Sequence, residues 1–205
     1  MLCDGKMKIG TRIELEVRSK DGKIIHKHEQ ESKSWLANFL RALRAIMYVD
    51  HDDNVETLKN TSGNEKGYPN LRYTTSAIMS VKAPEGNDSY GILVGTGTKV
   101  VEPEDFNLDN KITNGSGTGQ LLYGETSVEN VGISGNIITL RITRTFSNNS
   151  GSSIVIREIG LVMTTEYESG YDYFLIARDV LSEGSEVSVP DGLTLTVRYV
   201  ISVTV

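Results

Sequence analysis

Three histidines, one cysteine and a few clusters of acids are the groups in this 205-residue chain whose chemistry could reach beyond packing. His26-Lys27-His28 sets two imidazoles on one side of an extended segment, a spacing able to grip a metal ion. No cysteine and few carboxylates accompany them, so the pair reads as an exposed hairpin arm. Asp50, Asp52 and Asn54 match the first three ligand positions of an EF-hand loop. The match then fails, because Val55 stands where glycine is needed and Thr61 where the bidentate glutamate belongs. Gly91 to Lys99 (Gly-Ile-Leu-Val-Gly-Thr-Gly-Thr-Lys) looks like a phosphate cradle, yet lacks Gly-Lys-Ser/Thr opening a helix. It reads as a strand ending in a glycine turn. Glu102, Glu104 and Asp105 are acids of the kind that pair for glycoside hydrolysis, but clustered this closely they read as a wet loop. No Gly-x-Ser-x-Gly elbow accompanies any histidine. The expectation is a chain with no catalytic residues, no cofactor and no metal, and not an enzyme.

Composition bounds what remains. Apolar residues make up 38% and charged residues 23%, with 21 basic against 27 acidic side chains and a net charge of −6. The length fits one domain over residues 1–205 with a real core. Mixed charge and frequent apolar runs argue against disorder. The lone Cys3 excludes an internal disulfide and a cysteine-rich zinc site. The acidic balance argues against a nucleic-acid partner, which would want a basic face. The first residues lack the apolar core of a signal peptide, and no run approaches the roughly 18 apolar residues of a membrane helix. Synthesis in a cytoplasm without a membrane partner is expected. Asn-x-Ser/Thr triplets at Asn60, Asn87, Asn114 and Asn148 are what chance supplies in a chain so rich in these residues.

The elements that would position these groups are mostly strands. Thr11 to Arg18 alternates, with Ile13, Leu15 and Val17 facing one way. Asp21-Gly22 makes a turn, and Lys23 to Glu29 returns with Ile25 inward. Residues 1–33 thus form an N-terminal hairpin. Ser34 to Val49 reads as a helix capped by Ser34, with Leu36, Phe39, Leu40, Leu43 and Met47 in one apolar stripe. Asp50 to Arg72 shows little periodicity and reads as an excursion loop. From Tyr73 to the end, short strands alternate with Gly/Asn turns: Thr74–Val81, Gly91–Val94, Thr126–Val131, Ile137–Phe146, Ile154–Thr164, Tyr173–Arg178 and Leu193–Val205. The expected class is all-β, an antiparallel β-sandwich of jelly-roll type with one packed amphipathic helix.

Two strands carry special weight. The last alternates over thirteen residues, about 43 Å if fully extended, and is either a central member or is completed by a neighbouring subunit. Ile154 to Met163 is apolar on both faces and wants covering on both, by the helix, the long loop or another chain. Arg157-Glu158 and Arg178-Asp179 put charges inside apolar strands, to set register, to make a subunit contact, or simply as partly exposed edge residues. Candidate subunit-contact residues are therefore Arg157, Glu158, Ile159, Leu161, Arg178 and Asp179. Val197, Tyr199, Ile201 and Val203 of the last strand join them.

Several segments read together resemble virion structural proteins of tailed bacteriophages and related prokaryotic viruses. They are the helix Trp35–Met47, Tyr90–Thr98 with Pro103-Glu104-Asp105-Phe106, Gly119–Gly124, Thr143–Asn148, Arg157–Leu161 and Phe174–Asp179, with the closing amphipathic strand. Arg157–Leu161 and Phe174–Arg178 are also similar to segments of phage tail-fibre and tail-collar proteins. The resemblance covers most of the chain beyond Ser34 and rests on strand and turn motifs, so it carries over no catalytic residue. It implies a subunit that self-assembles with other virion proteins as a capsid, decoration or tail-region component, located in the virion and assembled in the host cytoplasm. The alternative is a carbohydrate- or receptor-binding module of a fibre or lectin-like sandwich. Its aromatic faces for a host-surface glycan would come from Tyr68, Tyr73, Tyr90, Tyr123, Tyr167, Tyr171 and Tyr173.

Overall fold

The alternating segment near the start of the chain forms a long strand in the computed structural model, which describes residues 8–32, 34–47, 56–67, 79–167 and 170–205. In chain order the elements are β1 (Lys8–Arg18), β2 (Ile24–Glu31), α1 (Ala37–Met47), β3 (Thr57–Lys59) and β4 (Glu65–Gly67). There follow β5 (Gly91–Gly95), β6 (Leu122–Tyr123), β7 (Ser127–Val128), β8 (Gly132–Ser134) and β9 (Ile137–Ser147). The last are β10 (Ile154–Ile156), β11 (Glu158–Tyr167), β12 (Gly170–Val180), β13 (Val187–Val189) and β14 (Thr194–Thr204). The protein is mostly β, with one short helix and several antiparallel sheets. No helix of the described residues is long and apolar enough to cross a membrane.

The large sheet runs β2-β1-β14-β9-β6, with β7 and β8 also on β9, and the small sheet runs β12-β11-β5. β14 lies between β1 and β9, antiparallel to both, so the C-terminal strand is a central member and offers no open edge. The two sheets share one buried cluster. Ile13, Leu15 and Val17 of β1 and Leu195, Val197 and Tyr199 of β14 meet Ile92, Ile159, Leu161, Met163 and Phe174 of the small sheet. Glycine at the turns serves where expected: Gly22 and Gly135 take positive φ values of 84° and 57° in the turns before β2 and β9.

Several expectations are corrected by how these elements pack. Ile25 faces solvent, 53% exposed, because β2 is the outermost strand and contributes nothing to the shared cluster. The helix begins at Ala37, not Ser34. Ser34 to Leu36 instead runs extended along β12, the Ser34 carbonyl accepting from the Arg178 amide and the Leu36 amide donating to the Ile176 carbonyl. The buried face of α1 carries Asn38 and Ala42, while Leu40 and Met47 are 65% and 78% exposed. Hydrogen bonding sets this rotation. The Asn38 amide donates to the Lys59 and Leu175 carbonyls and accepts from the Lys59 amide, tying the helix to β3 and β12 at once. Within the expected excursion, residues 57–67 form the β3–β4 hairpin, with Leu58 buried and Asn60 closing the turn through the Ser62 and Asn64 amides. The strand expected over Ile154–Thr164 breaks at Arg157 into β10, paired with β13, and β11.

Among the described residues, the segment before β6 supplies a second cover for that two-faced strand. Residues 96–112 lie over the outer face of the small sheet. Leu108 sits so close above Gly160 that a β-carbon there would overlap it and Leu175. The edges of this sheet are closed as well. Ser34–Leu36 and the Thr61 amide pair with β12, and Asn110 and Ile112 pair with β5. Along these stretches the small sheet's edges are already paired within the chain.

Candidate functional site

Charge is concentrated at two buried arginines, each set by strand register. On β11 and β12 the pairing Gly160↔Arg178 and Glu158↔Val180 places Glu158 and Arg178 on the same outer face. Both are essentially without solvent contact. The Glu158 carboxylate accepts from the Arg178 Nε at 3.0 Å and Nη2 at 2.9 Å. Its Oε1 also accepts from the amides of Gly97 (3.1 Å) and Asn110 (2.7 Å), and its Oε2 from that of Asp109 (3.0 Å). The glycine loop that resembles a phosphate cradle thus cradles the chain's own carboxylate. A β-carbon at Gly95 or Gly97 would overlap Glu158, which is why glycine stands at both positions. Arg178 continues to Asp105 Oδ2 (2.9 Å) and to the Lys99 carbonyl (3.1 Å), so the network pins the covering segment at several points.

Asp105 belongs to this network, not to an acid pair for hydrolysis. Burial alone would raise its pKa, but hydrogen bonds from the Glu102 amide, Lys99 and Arg178 outweigh it and hold it below its ordinary value of 3.8. Glu104 pairs instead with Arg41 of the helix at 2.7 and 2.8 Å. A carboxyl with a depressed folded pKa stabilises above its ordinary value and loses that contribution as pH falls through the folded one. Asp105→Asn is therefore expected to lower stability at neutral pH and to flatten the loss of stability on acidification below 3.8. Urea unfolding followed over that range measures both. An acid branch as steep in the variant as in the wild type would count against the assignment.

The second arginine was not singled out by spacing. Arg144 projects inward from β9 between Ile142 and Phe146, and it is buried with no carboxylate hydrogen-bonded to it among the described residues. All five of its N–H donors go to backbone carbonyls. Nε donates to Gly124, Nη1 to Tyr90 and Ile92, and Nη2 to Pro84 and Asn87. Its guanidinium lies 4.7 Å from the Tyr123 ring centroid. Burial pulls its pKa down to about 10, which still leaves it charged at neutral pH. A charged residue at the inward parity of an otherwise apolar strand was the available signal. On the inward side of β12, Asp179 accepts from Ser32 Oγ (2.8 Å) and the Tyr199 hydroxyl (3.4 Å). Burial, then the charge of Asp179, holds that hydroxyl well above its ordinary pKa.

These placements revise the expected contact surface. Glu158, Ile159, Leu161, Arg178, Asp179, Val197 and Tyr199 are all buried within the chain itself, where they pack or pair internally. Arg157 is half-buried at the break between β10 and β11, its amide donating to the Gly95 carbonyl. Ile201 and Val203 are likewise half-buried. They lie where the core-facing side of the large sheet runs past the small sheet. Register sets Ile13, Tyr199 and Ile142 in one buried row, Thr11, Ile201 and Leu140 in the next, and Ile9, Val203, Ile138 and Ile133 in the last. Ile9 is 65% and Ile133 75% exposed. Trp35, whose indole N–H donates to Thr11 Oγ1 at 3.1 Å, covers the middle row.

A cleft of about 260 Å³ opens on the outer face of the small sheet, beside the covering segment. Leu93 and Val162 from the sheet and Leu108 from the covering segment make its apolar floor, and Tyr173 stands at its side. Tyr173 stacks on Tyr90 with ring centroids 5.8 Å apart. Of the other tyrosines considered for glycan stacking, Tyr123 is interior, its hydroxyl donating to the Ile112 carbonyl. Tyr167 donates to the Gly67 carbonyl, and Tyr171 is exposed. Among the described residues, no group of three His, Cys, Asp or Glu side chains is placed to hold a metal ion. His26 and His28 lie on the outermost strand. Cys3, Asp50–Asn54 with His51, Tyr68 and Tyr73 lie outside the described residues. No protein-family model matches this chain, and neither does any curated protein or solved structure.

Proposed function

We propose that the chain is a non-enzymatic structural subunit that associates with copies of itself, built as a jelly-roll-like β-sandwich whose large sheet outreaches its small one. The overhang carries this reading. From Thr11, the last buried position of β1 on this side, to Ile9 the core-facing side of the sheet extends about 7 Å further, at about 3.3 Å per residue. The last row spans four strands and holds only aliphatic side chains. The opposite face of the sheet behaves differently: Arg12–Glu14, Arg198–Glu16 and Arg141–Glu129 pairs cover it, and such a face is content in water. An uncharged aliphatic strip gives a different partner nothing to be selected by, whereas it complements itself across a two-fold axis. The resemblance to virion proteins supplies the setting: a tailed-phage particle, with the subunit on the capsid surface or in the tail region among other virion proteins. The net charge of −6 suits a position away from the packaged genome.

Light scattering over a concentration series tests it. The wild-type protein is expected to associate, and Ile133→Lys and Ile9→Lys to shift it toward monomer. Surface changes of this kind leave folding stability within about 0.5 kcal/mol, so unchanged melting separates lost association from lost fold. A wild-type chain that stays monomeric throughout overturns the proposal, as does a pair of variants that associate like the wild type.

A further inference from the structure

We infer that the cleft between Leu93, Val162 and Tyr173 binds one neutral sugar residue of a glycan. The floor is apolar and the rim is polar, the combination that a pyranose presents in reverse with its C–H face and its hydroxyl edge. The rim groups are uncommitted. The Thr61 and Ser89 hydroxyls, the Asn107 amide and the Tyr173 hydroxyl make no hydrogen bond among the described residues. Asn60, Asn114 and Asn148 elsewhere in the fold, by contrast, each hydrogen-bond a backbone amide or carbonyl. Polar groups grouped around one concavity and left without partners offer hydrogen bonds to a ligand.

Charge selects the ligand class. Lys111 Nζ donates to the Asp88 carbonyl at 2.8 Å and pairs with its carboxylate at 3.3 Å, so the two charged groups lining the cleft among the described residues cancel each other. An anionic ligand would have to break that pair, whereas a neutral polyol can accept from the lysine and donate to the aspartate as they stand. The Asp88 carboxylate is itself held in place by the Asn114 amide at 2.7 Å. The cleft lies on the outer face of the small sheet and shares no residue with the aliphatic overhang of the large one, so the two proposals stand or fall separately.

Amide chemical shifts recorded while titrating the ¹⁵N-labelled full chain with methyl glycosides of glucose, galactose, mannose and N-acetylglucosamine test this. At least one sugar is expected to give saturable shifts centred on Asp88, Ser89, Leu93, Asn107 and Val162 at millimolar concentration. Ser89→Ala and Asn107→Ala each remove one hydrogen-bonding group of the rim and are expected to weaken that sugar about tenfold, the effect of one lost hydrogen bond. Ser62→Ala, outside the cleft, is expected to leave it unchanged. If none of the four sugars produces saturable shifts there, or if the shifts survive both rim variants at full affinity, the assignment is wrong.

Discussion

Arg144→Met is expected to remove most of the folding stability of this protein, by more than about 4 kcal/mol, where domains of ordinary stability have only about 5–15 to lose. Five carbonyls from Pro84, Asn87, Tyr90, Ile92 and Gly124 converge on this guanidinium inside the core, and methionine answers none of them. Each buried carbonyl left without a donor costs about 1 kcal/mol or more. Arg144→Lys is expected to fall between, because an ammonium has three donors from one point and cannot reach carbonyls spread around a planar fork. The loss should also be local in its first appearance. Residues 84–92 are held to β9 largely through this side chain, so hydrogen exchange there should accelerate in the lysine variant before the large sheet is affected. A methionine variant within about 1 kcal/mol of wild type would mean that the carbonyls find other donors, and that the arginine is not what joins β5 to the large sheet.

How far such features could be read in advance depended on their range. The alternation in β1 and β14 was legible because burial on one face of a long strand imposes a period of two over many residues. β3 and β4 were not, since three residues are too few to show a period, and the hairpin is specified by Asn60 and by docking. The helix was found but its buried face was misjudged. Apolar spacing favoured Leu40, Leu43 and Met47, yet three hydrogen bonds at Asn38 outweigh them, and those partners lie on β3 and β12. The charges at Glu158 and Arg178 were conspicuous in sequence, while their purpose required the glycine loop some sixty residues earlier to be folded over them. The cleft had no sequence signature, because Thr61, Ser89, Asn107 and Tyr173 come from four separate segments that only the fold brings together.

Glu158 and Arg178 provide the other large effect, and a double-mutant cycle shows what kind of pair they form. Arg178→Leu leaves a carboxylate buried without its cation and is expected to cost about 3–5 kcal/mol. Glu158→Leu leaves Arg178 only Asp105 as a carboxylate partner and should cost at least as much, since it also abandons the Gly97, Asp109 and Asn110 amides. An isolated buried ion pair replaced by two apolar side chains often returns to wild-type stability or exceeds it. Here the double variant is expected to recover only part of the loss. The two leucines relieve the stranded charge, giving a coupling of about 2 kcal/mol, but three loop amides still lack an acceptor at about 1 kcal/mol each. Asp105 meanwhile keeps Lys99 as a partner, so its own charge is not left alone. Unfolding of the four proteins in urea decides the point. Full recovery in the double variant would make the pair an ordinary buried salt bridge. Partial recovery makes Glu158 the internal anion around which residues 97–110 fold.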